Sequence, residues 1–376
     1  MSDSVRKAGL NDLEALVALE NQCFSSDKIS RRSFRHFLET HQNSLLVAGE
    51  PILAYGLILY HRGTSLARVY SLAVAPQARG QGYAKMLMEA LEVEACKRDA
   101  LFLRLEVATH NQAATTLYTQ LGYKPIRRLP GYYEDGGDAL RLEKPLGRYL
   151  PKPKHIRYYA QTTEFTCGPA ALLMAMSHLD KNTELSQMAE LNVWRDATTI
   201  FMAQGHGGCS PHGLALAAHK RGMEVKLLQS SDSVPFVDSV RDPRKKLIIE
   251  SIHHHFSEAL QNAKVEMITG HLDAAKLAAY LQQSYRIILL ISTYQLNRNK
   301  SPHWVWLVAM DEAFAYINDP YPDEKTHQSE LDNTYVPVPL ENFSRMMRFG
   351  RSKYRAAVLL RAGAKSPGTS ADPEAS

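Results

Sequence analysis

Four residues in the second half of this 376-residue chain have the types that nucleophilic acyl chemistry needs. Cys167 stands in QTTEFTCGPAALLMAMSHL, directly before Gly-Pro and an alanine-rich apolar run, which places it at or near a helix N-terminus. That position stabilises a thiolate, and proline is favoured just inside a helix start. A cysteine nucleophile needs a base, and the base needs an acceptor to orient it. His303, opening the strand-like HWVWLVAM, is the best-placed base, and Asp319, after FAYIN, is the acceptor. Gln161, six residues before the cysteine, can donate its side-chain amide to an oxyanion. Alone, Cys167 reads as a buried inert thiol, the usual fate of a free cysteine. The other three residues give it a catalytic reading.

The first half is organised around Val69 to Met88, VYSLAVAPQARGQGYAKMLM. Tyr70, Leu72 and Val74 share one side of a period-two pattern, and Leu87, Ala90, Leu91 and Glu94 follow at helical spacing. Between them lies Gln77-Ala78-Arg79-Gly80-Gln81-Gly82. Glycines there let the backbone approach a ligand, and the next helix offers free N–H groups and a positive dipole end to an anion.

Other elements must hold these stretches. Asn11 or Asp12 is expected to cap a helix through Phe24, and Ser30 another through Phe37. Strand-like SLLVA and ILAYGLILY precede the organising strand and helix; LFLRLEV, a helix from Asn111 to Leu121 ended by Gly122, and two closing strands follow. Alternating prolines in Leu150-Pro151-Lys152-Pro153 suit a stiff extended spacer. The expected division is a domain at 1–147, a linker at 148–155, a second domain at 156–363 and a disordered tail at 364–376. Within the second domain, helices are expected from Pro211 to Arg221, Asp242 to Asn262 and Leu272 to Tyr285, with MEVKLL as a strand.

The Q/R-x-x-G-x-G/A pattern from Gln77 to Gly82 resembles the pyrophosphate-binding motif of the GNAT acetyltransferases. LRLEVATHNQAATTLYTQLGY and GYYEDGGDALRLEKPL resemble that family's strand–helix segment and closing hairpin, in the RimI type, over about residues 4–146. The resemblance implies a mixed central sheet with flanking helices and acetyl-CoA as cosubstrate. It implies Glu106, at its strand end, as base through water and Tyr118 as acid to the leaving thiolate. Asn111 would hydrogen-bond the CoA arm, the backbone of Leu72 and Val74 the acetyl and pantetheine groups, and Arg79, Gly80, Gly82 and Ala84 would surround the pyrophosphate. Without it, Glu106 reads as a solvated strand-end carboxylate and Tyr118 as a core tyrosine.

The second half is similar to the C39 and C39-like cysteine peptidases, through Q-x5-C-G-P, H-x-V and I-N-D-P over about residues 156–362. This implies a papain-like fold and a thioester on Cys167. Thr166 stands where transporter-linked members carry Asp, and no ATPase or membrane segment is present, which departs from the double-glycine leader peptidases. The fold class expected is therefore α/β and α+β, a GNAT fold followed by a papain-like fold. The resemblances imply a peptide or protein substrate. Two further readings belong to other classes: a C39-like module that only binds peptide, and a transferase or amidase whose thioester is captured by an amine.

Net charge +5 is mild and spread along the chain, so neither nucleic-acid nor membrane binding is indicated. No apolar run approaches the roughly 20 residues of a membrane span, and MSDSVRKAGLND lacks a signal-peptide core. The four cysteines show no disulfide framework or metal knuckle, and the expected location is cytoplasmic. No metal is expected: His253, His254 and His255 face about 100° apart on a helix, and His206, Cys209 and His212 lack an evident fourth ligand.

Overall fold

The computed structural model describes residues 4–198, 207–237, 240, 242–294, 301–322 and 330–363. The chain forms two compact units that meet between Tyr149 and Leu150.

The first unit is a mixed sheet in the order β1-β2-β3-β4-β5-β7-β6. Its strands are β1 (Arg6–Lys7), β2 (Asn43–Ala48), β3 (Ala54–Tyr60), β4 (Leu66–Val74), β5 (Phe102–Ala108), β6 (Lys124–Leu129) and β7 (Ala139–Pro145). Its helices are α1 (Leu13–Cys23), α2 (Arg31–Glu39), α3 (Tyr83–Cys96) and α4 (Gln112–Gln120). Ser30 caps α2 as expected, its Oγ accepting from the Ser33 N–H at 3.1 Å. Asp12 does not cap α1. Its carboxylate accepts from Gly9 N–H at 2.8 Å and from Arg6, closing a 3-10 turn that precedes the helix.

Neighbouring residues of β3 face opposite layers. Tyr55 meets Phe34 of α2 edge-on at 5.5 Å. A Cβ on Gly56 would stand 2.7 Å from the Leu91 Cδ1 methyl of α3, so the glycine leaves room for that side chain. The parallel pairing of β4 with β5 runs from Leu66↔Phe102 only to Val69↔Leu105, while β4 stays on β3 as far as Val74↔Ala54. The two central strands therefore splay, leaving the β5-facing edge of Leu72 to Val74 outside the parallel ladder.

The second unit is a sheet in the order β13-β12-β11-β10-β14-β8-β9, antiparallel except between β8 and β9. The strands are β8 (Met223–Gln229), β9 (Glu266–Thr269), β10 (Arg286–Ser292), β11 (Pro302–Met310), β12 (Phe314–Asn318), β13 (Val336–Pro339) and β14 (Ala356–Ala362). The helices are α5 (Cys167–Leu179), α6 (Gln187–Ala197), α7 (Pro211–Lys220), α8 (Pro243–Asn262) and α9 (Ala274–Gln282), and one at Leu340–Met346. Every residue of α5 from Cys167 to Ser177 is buried, which explains its uninterrupted apolar sequence. It packs on β10, β11 and β14. Expected helices shorten at their caps: Asp242 Oδ1 accepts from Arg244 N–H, and Asp273 Oδ1 from Lys276 N–H. Leu150, at the start of the proline-rich stretch, is held within this unit by Tyr316 and Tyr335 through its N–H and C=O. No described helix is long and apolar enough to cross a membrane. His206 and the tail 364–376 lie outside the described residues.

Candidate active sites

In the second unit the fold gathers Cys167, His303 and Asp319, and Gln161 lies on the segment that leads into α5. Cys167 is the first residue of α5, 9% exposed, at the positive end of the helix dipole. His303 is the second residue of β11, and Asp319 follows the last residue of β12. These strands form an antiparallel hairpin, so residues sixteen apart in sequence lie side by side. His303 Nε2 and Asp319 Oδ1 are 2.7 Å apart, which leaves Nδ1 for the thiol. Asp319 is itself fixed: Oδ1 accepts from Tyr321 N–H at 2.9 Å, its N–H donates to Asn333 O, and its carbonyl accepts from Tyr158. Burial pushes the His303 imidazole down, but Asp319 and Cys167, each through charge and hydrogen bond, carry it well above its ordinary value. An imidazolium held between a carboxylate and a thiol is the charge state that a cysteine nucleophile uses.

Gln161 sits in the irregular segment before α5. Its backbone N–H donates to Pro320 O at 2.8 Å, next to Asp319, and its Nε2 donates to Thr163 O at 2.7 Å.

Cys209 and His212 lie close by but serve the interior. The Cys209 thiol is buried, and burial, then the nearby Cys167, push it well above the usual thiol range. His212 of α7 packs on His253 of α8, ring centroids 4.4 Å apart, with both Nδ1 atoms buried and unpartnered. His254 and His255 point to solvent. Among the described residues no group of three His, Cys, Asp or Glu side chains is arranged to hold a metal.

Burial, then His253, push His212 down to about 3 against the opposing pull of Asp232. The unfolded chain protonates there near the ordinary histidine value of about 6.5, before the folded chain does. The stability of the second unit should therefore fall as pH drops below about 6.5. The loss from this residue is about 1.4 kcal/mol per pH unit, or about 2 kcal/mol at pH 5. Urea unfolding at pH 7 and pH 5 checks this, and His212→Gln should remove the part due to this residue, leaving that of His253, which burial also pushes down.

In the first unit, Gly80 and Gly82 adopt φ +75° and +89°, and Gly82 is the left-handed residue that opens α3. No atom lies within 4 Å of where a Cβ on either would stand. The turn is thus both glycine-dependent and open, beside the first N–H groups of α3, which have no partner within the helix. Ala84 is in that first turn, and Arg79 Nε donates to Val74 O at 3.4 Å. These features fit a phosphate-bearing ligand. Asn111 caps α4, its Oδ1 accepting from Ala114 N–H at 3.1 Å, so the CoA arm would find its amide group rather than a free side chain.

Tyr118 is buried on α4, edge-on to Tyr123, and its hydroxyl makes no hydrogen bond among the described residues. Burial pushes the phenol up to about 12, which keeps it protonated. Glu106 is not at its strand end. It lies inside β5, opposite Arg141 of β7, with a side chain 5% exposed. Oε2 accepts from Arg68 Nε at 2.7 Å, and Oε1 pairs with Arg141. The sequence reading missed both arginines. The signal for Arg141 was the repeated Arg-Leu-Glu at 104–106 and 141–143, since antiparallel register pairs Arg104 with Glu143 and Glu106 with Arg141. Arg68 also donates to Tyr132.

The family comparisons agree with both halves. A family model described as Peptidase_C39 like family matches residues 156–361, more than half of the chain. The chain belongs to that family. Residues 10–145 match the acetyltransferase (GNAT) domain model. An uncharacterized N-acetyltransferase of Methanocaldococcus jannaschii is 30% identical over 145 residues, 37% of this chain and 90% of that protein. An N-alpha-acetyltransferase of Saccharolobus solfataricus is 28% identical over 156 residues, 38% of this chain and 93% of that protein. The crystal structure of the ribosomal-protein-S18-alanine N-acetyltransferase from Escherichia coli is 24% identical with a TM-score of 0.36, covering 40% of this chain and 98% of that one. The protein is an N-acetyltransferase of GNAT fold joined to a C39-like domain.

Proposed function

We propose that this is a bifunctional enzyme: a peptide or protein amine acetyltransferase followed by a cysteine hydrolase acting through a Cys167 thioester. The observation that carries the second activity is the buried His303–Asp319 pair at 2.7 Å beside the Cys167 helix start. Cys167 attacks a carbonyl carbon, His303 gives the leaving amine its proton, and water then releases the acyl group.

For the first unit, acetyl-CoA supplies the activated acetyl group. The open glycine turn and α3 N-terminus receive its pyrophosphate, and the splayed edge of Leu72 to Val74 receives its acetyl and pantetheine part. The incoming amine attacks directly. Tyr118 protonates the departing thiolate sulfur from its hydroxyl. Glu106 takes up the amine proton through water only by giving up part of an ion pair, so its main contribution is to fix Arg68 and Arg141 beneath the site. Tyr118→Phe should lower kcat for acetyl transfer about 100-fold with the KM for acetyl-CoA little changed, as steady-state CoA release will measure.

The two activities fit one peptide, cleavage exposing an N-terminus and acetylation capping it. The test is a peptide library incubated with the full chain, with and without acetyl-CoA, read by mass spectrometry. The expected products are shortened peptides carrying an N-terminal acetyl group, with cleavage alone lost in Cys167→Ala. Acetylation of uncut peptides with no cleavage would reduce the second unit to a binding module.

A further inference from the structure

We infer that Glu190 is the positioning residue of the oxyanion site in the second unit, holding the segment that carries Gln161 in register with the start of α5. The inference rests on the hydrolase reading above. Glu190 lies on α6, is fully buried, and among the described residues has no cationic partner. A buried carboxylate without a cation is costly unless its oxygens are hydrogen-bonded. Here all the donors come from one short stretch: Thr162 N–H on Oε1 at 2.9 Å, and Tyr159 hydroxyl and Thr162 Oγ1 on Oε2 at 2.9 and 2.7 Å.

That stretch has no helix or strand of its own to fix it. Its residues alternate between two anchors. Tyr158 and the Gln161 N–H tie to Asp319 O and Pro320 O, while Tyr159 and Thr162 tie to Glu190. Gln161 is therefore gripped between the loop that orients the histidine and a carboxylate on a separate helix. One Nε2 proton goes to Thr163 O, which fixes the amide plane, and the second remains for a ligand. Thr163 and Thr166 side chains, 2.8 Å apart, continue the contact to the residue before Cys167. When the thiolate forms its bond to a carbonyl carbon, the π pair moves onto the oxygen, and Gln161 Nε2 donates to that oxygen.

Two reagents separate this role from a merely structural one. Iodoacetamide alkylates the Cys167 thiolate at a tetrahedral carbon and creates no oxyanion. p-Nitrophenyl acetate acylates the same sulfur through one, releasing nitrophenolate. Gln161→Ala should slow acylation about 100-fold and Glu190→Gln about 10-fold, with the alkylation rate unchanged in both. The double variant should be no slower than Gln161→Ala alone, because Glu190 acts only through that residue. Thr162→Val removes one donor without touching the carboxylate and should give a smaller acylation defect of the same kind, which serves if Glu190→Gln does not fold. Equal loss of both rates, or additive losses in the double variant, would overturn the inference. A wild-type Cys167 that alkylates no faster than an ordinary thiol would instead remove the hydrolase reading beneath it.

Discussion

Replacing His303 by alanine is expected to slow alkylation of Cys167 at pH 6 by about two orders of magnitude. An unpaired thiol with an ordinary value of about 8.5 is thiolate to only about 0.3% at pH 6. In the folded protein Asp319 and Cys167 carry the buried imidazole well above its usual value, so a charged histidine stands beside the sulfur. The sign follows from that direction: His303 stays charged from pH 8 to 6, so the wild-type rate should fall less over that range than the His303→Ala rate. The His303→Ala rate should fall about tenfold per pH unit. Cys23, Cys96 and Cys209 are free thiols and serve as internal references in peptide mass spectrometry. Burial pushes Cys23 and Cys209 up, so both should react more slowly than exposed Cys96. A wild-type Cys167 no faster than Cys96 at pH 6 would mean that no reactive pair exists.

Glu106→Gln is expected to destabilise the first unit by about 3–5 kcal/mol, because it leaves two buried guanidiniums facing a neutral amide. Arg141 is wholly buried and Arg68 nearly so, and each has Glu106 as an ion-pair partner. For a unit of this size the loss corresponds to a fall in unfolding midpoint of about 10 °C, measurable by calorimetry. The kinetic consequence separates two roles for the same residue. A base alone would lose kcat with the fold intact. An anchor loses stability first, and Glu106→Asp, which keeps the charge, should recover much of it. An unchanged midpoint in Glu106→Gln would show that the two arginines find their charge balance elsewhere.

The sequence disclosed the parts whose signals are local. The glycine turn, the Ser30 cap and the start of α5 at Cys167 were all legible, because each depends on a few neighbouring residues. So was the histidine–aspartate pair, whose partners open and close adjacent strand patterns. What escaped depended on register. Glu106 looked like a strand-end carboxylate because nothing in LRLEV says that Arg141 lies opposite it, although the second Arg-Leu-Glu was there to be matched. Glu190 drew no notice in the sequence, because its three donors lie about thirty residues upstream. Asp12 was assigned to the wrong turn because Gly9 and Arg6 compete for its oxygens.

On the hydrolase reading, the proposed nucleophile and its base are made at different times. Cys167 lies 136 residues ahead of His303 in the chain. At typical elongation rates, roughly 7–30 s separate the synthesis of the two. Throughout that interval α5 has no β11 to pack on, and its first residue is an ordinary thiol. The nascent chain therefore carries no active nucleophile while its own backbone is extended and exposed. On the proposed hydrolase reading, the reactive pair forms only when β11 joins the sheet.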